Sequence, residues 1–219
     1  MGKTILTSTQ RKVLSLLSKE PLFVNNFYFT GGTVLAEYYL KYRLSEDLDF
    51  FSIKEIDNLW LSTLTKKIKN NLGADKIDLQ QSFNRNLVFI TIGSEVLKTE
   101  FTYFPFPQIE KPKIIEGIKI DSLIDIAVNK FFTIYQKPSA RHFIDLYLIL
   151  KTGKVKWEDL ARLARNKFDT VIDPLQLGSQ LIMASDVQDL PQMIIDIPEN
   201  DWKEFFLQKA KDLKPQIAE

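Results

Sequence analysis

The chain contains no cysteine and a single histidine, His142. The first absence excludes disulfides and thiolate metal sites, and it fits a reducing compartment. The second excludes a multi-histidine zinc centre. Any metal must then be a hard cation held by carboxylates, Mg²⁺ or Mn²⁺. Long apolar runs are also missing. No stretch reaches the roughly 18 residues that argue for a membrane span, and the amino-terminal segment MGKTILTSTQRKVLSLLSKE carries charge throughout, unlike a signal peptide. The expectation is a cytoplasmic chain that does not engage a membrane. Nor is there an excess of either charge: 29 basic residues face 28 acidic ones, for a net charge of +1. Net charge therefore gives no sign of a nucleic-acid binder, although a local basic patch remains compatible with it. Repeats and low-complexity segments are absent.

What is present is material for a core. Of the 219 residues 45% are hydrophobic and 16 are phenylalanine, enough for one large domain or two closely packed lobes. Apolar spacing predicts a helix over 8–19, capped by Ser8 or Thr9 and ended by Pro21. A short strand at 27–30, a Gly31-Gly32 turn, a helix over 33–42 and a strand over 47–52 follow. A helix over 55–72 then leads to three strands near 75–82, 86–92 and 96–103, and Pro-rich 105–112 reads as extended. Residues 118–120 form one more short strand. Beyond residue 121 only helical patterns recur, at about 121–136, 139–151, 157–168, 174–184 and 201–213. The fold class is α+β: a mixed β-sheet lobe flanked by helices over 1–117, then a helical lobe over 118–219.

The chemistry concentrates in FTGGTVLAEYYLKYRLSEDLDFF, residues 29–51. A strand runs into Gly31-Gly32-Thr33 and a helix begins. Glycines allow close backbone approach to a phosphate, and a helix start offers free N–H groups. Asp47 and Asp49 lie two apart on a strand, so both carboxylates face one side while Leu48 and Phe50 face the core. Like charges so placed repel, and a divalent cation removes the conflict. Paired carboxylates of this kind serve in-line displacement at phosphorus. In LKTEFTYF, residues 97–104, alternation puts Lys98, Glu100 and Thr102 on one face. Glu100 is thus the candidate third carboxylate, and Asp78 a weaker one.

The pattern Gly31-Gly32-Thr33, then Arg43-Leu-Ser45-Glu-Asp47-Leu-Asp49-Phe50, resembles the AbiEii/AbiGii toxin family of nucleotidyltransferases, within the DNA polymerase beta-like superfamily. A second block, IDIAVNKFFTIYQKPSARHFIDLYLIL over 124–150, resembles that family's later signature, with Lys130, Arg141 and Asp145 in its characteristic places. The resemblance implies a metal-dependent transfer of a nucleoside monophosphate from an NTP to an acceptor. Asp47, Asp49 and Glu100 would be metal ligands. Gly31, Gly32, Thr33 and Ser45 would lie around the triphosphate, Arg43 would brace the loop or meet phosphate, Lys130 would contact phosphates, and Asp145 would lie near them. The helical lobe would complete the site for NTP and acceptor. The family further implies an RNA acceptor, the 3′ end of tRNA, together with a cognate antitoxin and a toxin or phage-defence role. Two departures stand out: Glu100 where Asp is usual, and His142 where relatives carry an acid. Arg141 and Asp145 are also spaced to pair on one helix face. Lysines at 66, 67, 69, 111, 113, 119, 151, 154, 156 and 167, with Arg162 and Arg165, could meet RNA, and Tyr38, Tyr39, Tyr42 and Trp157 could stack bases. Alternative readings are transfer to a protein or small molecule, or non-catalytic binding of NTP or a partner.

Overall fold

The computed structural model describes residues 4–217. Helix α1 (Ser8–Leu17) is capped by Thr7, not by Ser8 or Thr9. The Thr7 hydroxyl accepts from Gln10 N–H, and the Gln10 side chain accepts from Thr7 N–H, closing a capping box. Pro21 opens a second short helix, α2 (Pro21–Asn26), at a position where its missing N–H costs nothing. Strand β1 (Phe27–Thr30) leads into α3 (Gly31–Val34), which widens into a π-type turn over Leu35–Leu40. The helix therefore starts at the first glycine and stops two residues before Tyr42. Strand β2 (Leu48–Ser52), α4 (Asn58–Leu72, capped by Asp57), β3 (Lys76–Gln81), β4 (Arg85–Ile92) and β5 (Glu95–Tyr103) follow. A strand that apolar patterning did not reveal, β6 (Lys113–Ile115), forms a hairpin with β7 (Ile118–Ile120).

These strands make one mixed seven-stranded sheet in the order β3-β4-β5-β2-β1-β7-β6. Strand β2 runs antiparallel to β1 and parallel to β5. Alternation sends Phe27 and Phe29 of β1, Phe50 of β2 and Phe101 of β5 to one face. There they meet Phe23 of α2, with Phe50 and Phe101 centroids 5.2 Å apart and Phe23 edge-on to Phe50 at 5.0 Å. Each such ring contributes roughly 1.5–3 kcal/mol by leaving water. That aromatic layer fixes the register of β2, because a one-residue slip would bury Asp49 and expose Phe50.

Chain contacts divide the protein into two units. The sheet unit takes in the chain up to Tyr39, Ser45–Pro107 and Lys111–Ser122; the helical unit takes in Leu40–Leu44, Gln108–Glu110 and the chain from Leu123 on. The helical unit comprises α5 (Leu123–Gln136), α6 (Ala140–Lys151), α7 (Trp157–Phe168), α8 (Pro174–Ile182), α9 (Glu199–Asp212) and α10 (Lys214–Ile217). Its core stacks Phe143 on Trp202 and sets it tilted against Phe206. No helix among the described residues is long and apolar enough to cross a membrane.

Candidate active site

The sheet unit carries the acids. Leu48 and Phe50 are fully buried and Asp49 is half-buried on the opposite side of β2. The strand starts one residue later than expected, so Asp47 is half-buried in the loop just before it. Sheet register aligns Thr30 with Asp49 and Asp49 with Glu100, so a hydroxyl and two carboxylates cross three adjacent strands in one row. Asp78 lies on β3, two strands further out and opposite Phe89, with Gln80 as its hydrogen-bond donor. It is not part of the row.

Gly31 follows Thr30 directly with φ of 79°, and a Cβ built there would fall onto the Asp49 carboxylate, 3.2 Å from its Cγ. Only glycine tolerates both that conformation and that approach. Gly32 is the next residue of the helix. Thr33, 1% exposed, donates its hydroxyl to the Asp47 carbonyl and lies 2.8 Å from the Ser45 hydroxyl. It therefore ties the 45–47 loop to the start of the helix. A residue that sequence reading passed over does the same from the other side. The buried Gln10 amide donates to the carbonyls of Ser45 and Glu46, both at 3.0 Å.

Two cations stand among the acids. Lys98 Nζ lies 2.7 Å from Asp47 Oδ2, and Arg85 donates to Glu100 Oε2 at 2.6 Å, with Thr102 donating to Glu100 Oε1 at 2.7 Å. The hydrogen bond to Glu100 is the main reason the Arg85 pKa is raised, with Asp49 and Asp47 adding to it through space. Alternation signals Lys98, two residues before Glu100 on the same strand. Arg85 needed the β4–β5 pairing. Among the described residues no three acids converge into a ready metal-ligand set. In chemistry the donors suit Mg²⁺ or Mn²⁺, since all are carboxylate oxygens on one sheet face beside a glycine bend.

Arg43, Lys130 and Asp145 belong to the helical unit and form one buried cluster there. Asp145, fully buried, receives Arg43 Nε at 2.8 Å and Nη2 at 3.0 Å, Lys130 Nζ at 2.7 Å and the Tyr42 hydroxyl. Burial alone would raise the Asp145 pKa. Lys130 and Arg43 outweigh it and hold the carboxyl well below its usual range. Arg43 thus braces its segment, also donating to the Leu44 carbonyl. That segment pairs with a distant loop: Arg43 bridges Met193, and Leu44 N–H donates to the Gln192 carbonyl. The cations on Asp145 are Arg43 and Lys130, not Arg141, which is exposed. Burial, then Lys130 and Arg141, push His142 down to about 3, so it is neutral at pH 7. Tyr42 has no exposed surface with which to stack a base, and Lys167 is buried in an ion pair with Asp125 at 2.7 Å. Neither is available to RNA.

The mixed sheet with its acid row defines a nucleotidyltransferase-type fold. The family described as nucleotidyl transferase AbiEii toxin, type IV TA system, matches residues 15–216, and the chain belongs to it. An uncharacterized protein of Aquifex aeolicus (strain VF5) is 27% identical over 192 residues, 86% of this chain and 88% of that one. A solved Helicobacter pylori structure, described as a candidate nucleotidyltransferase, superposes with TM-score 0.62 at 20% identity, covering 96% of this chain and 93% of that one. JHP933 of H. pylori gives 0.61 at 21%, covering 96% and 90%. These two likenesses concern the fold. The chain is thus a nucleotidyltransferase of a type IV toxin–antitoxin toxin family, and that family implies an NTP substrate and an antitoxin partner.

Proposed function

We propose that the chain transfers a nucleoside monophosphate from an NTP to RNA, at the 3′ end of tRNA, with a divalent ion held by Asp47, Asp49 and Glu100, and that this arrests translation in the host or in phage-infected cells. The observation that carries this reading is the approach of Gly31 to Asp49 beside the aligned Glu100. A glycine bend and a row of hard-donor acids meet on the central strands of the sheet. A bound Mg²⁺ supplies charge neutralisation on the triphosphate.

The chain's own residues do the rest. Gly31 lets the Asp49 carboxylate lie against the backbone where the helix starts, and we assign Gly31 and Gly32 to the triphosphate beside it. Thr33, Ser45 and Gln10 fix the 45–47 loop, so Asp47 and Asp49 need no rearrangement of the backbone beneath them. Glu100, oriented by Arg85 and Thr102, takes the proton of the attacking hydroxyl. The acceptor oxygen bonds to the α-phosphorus, the bond from that phosphorus to the β-bridging oxygen breaks, and pyrophosphate leaves. Within the helical unit, Lys130 is the cation we assign to phosphate; Asp145 holds it, and Arg43 grips the same carboxylate. Most of the acceleration in such a site comes from placement and charge.

The test is transfer from each labelled NTP, separately, with Mg²⁺ and purified tRNA or whole lysate. Label is expected in tRNA, lost with EDTA, restored by Mn²⁺ and abolished in Asp49→Asn. Label in protein or small metabolites would overturn the RNA reading. Full transfer by Asp49→Asn would overturn the metal site.

A further inference from the structure

Charge is balanced over the whole chain but not over two neighbouring helices of the sheet unit. Helix α1 contains Arg11 and Lys12 and no acid; α4 contains Lys66, Lys67 and Lys69 and no acid. The two helices pack against each other. Between them lies a groove of about 670 Å³, lined among others by Arg11, Lys12, Lys19, Lys67, Ser15 and Asn71. The one carboxylate in the lining, Glu20, is recessed and paired with Lys67, whose own side chain is 52% exposed. Ser8, Lys12 and Ser15 follow one another at steps of four and three on α1, about 5–6 Å apart, and Lys19 lies in the turn just past the helix end, so hydroxyls and cations alternate along the groove.

We propose that this groove binds the phosphate backbone of the RNA acceptor, a proposal that rests on the RNA reading above. The occupant follows from the chemistry of the lining. Cations spaced along an axis and interleaved with hydroxyl and amide donors match repeated phosphate oxygens, which accept from both. An anionic membrane surface would also want exposed apolar side chains, and the lining offers only Leu16 and Leu72, both half-buried. Contacts of this kind set orientation without reading sequence.

The experiment measures binding of fluorescently labelled total tRNA to the full chain over a salt series, with unfolding midpoints checked for every variant. In Lys12→Gln/Lys19→Gln the slope of log affinity against log salt is expected to fall by about 2, one per phosphate contact. Lys12→Glu/Lys19→Glu is expected to weaken binding further. The control Lys211→Gln/Lys214→Gln removes the same charge from the helical unit and is expected to leave the slope unchanged. No tRNA binding by the wild type would overturn the RNA reading and this proposal with it. Wild-type binding that the groove variants retain, or lose no more than the control does, would overturn the groove alone.

Discussion

Asp49 and Gly31 define the site at the smallest scale, because the glycine's positive φ and the carboxylate's position depend on each other. Gly31→Ala places an L-residue in the left-handed region, at about 1–2 kcal/mol, and drives its methyl into Asp49. Transfer activity is expected to fall as far as in Asp49→Asn, with a smaller loss in thermal midpoint than a core truncation gives. An assay of Gly31→Ala that retained wild-type turnover would separate the bend from the chemistry. His142 makes a different prediction. Its folded pKa is about 3, and unfolded histidine titrates near 6.5. The unfolded chain therefore takes up the proton first as pH falls. The stability owed to neutral His142 is complete above about pH 6.5 and drains away towards pH 3. Replacing it in His142→Asn should flatten urea stability against pH in that window, a change visible by tryptophan fluorescence.

Single elements explain how the loop bearing Ser45 to Asp47 is held. The sequence reading puts the cap of α1 at Ser8 or Thr9, and the structure puts it one or two residues earlier, at Thr7, which closes a capping box with Gln10. The second duty of Gln10, its hold on two loop carbonyls 35 and 36 residues away, was not legible in the sequence. Gln10→Ala removes a cap contact, at about 1 kcal/mol, and leaves those carbonyls without their donor. Transfer is expected to fall by more than the lowered thermal midpoint accounts for. Equal activity in Gln10→Ala, measured well below its midpoint, would make the contact purely structural. Strand β6 illustrates the limit of patterning. Lys113–Ile115 is too short for period-two alternation to register, and only pairing with β7 defines it.

Over the whole molecule, buried charge is the main liability. Asp145 satisfies both Arg43 and Lys130 deep in the helical unit. Asp145→Asn leaves two buried cations short of a counter-charge and is expected to cost about 3–5 kcal/mol, read as a fall in the urea midpoint. The folded pKa of Asp145 is depressed, so its stabilisation is present above the ordinary carboxylate range, near pH 4, and is lost as pH falls further. The gap between wild type and Asp145→Asn should accordingly narrow in strong acid. A gap that stayed constant would deny the carboxylate its role.

The sequence by itself determined the α+β class, the strands β1, β2 and β5, and the facing of Asp49 and Glu100. All of these follow from local periodicity and from glycine's backbone freedom, which act over a few residues. Tertiary structure decided which charges meet. Arg85 came to Glu100 through a hairpin register, Arg43 reached Asp145 across 102 residues, and Tyr42 and Lys167 were withdrawn from the surface. Ion pairs and burial depend on approach through space, and no spacing along the chain encodes that distance.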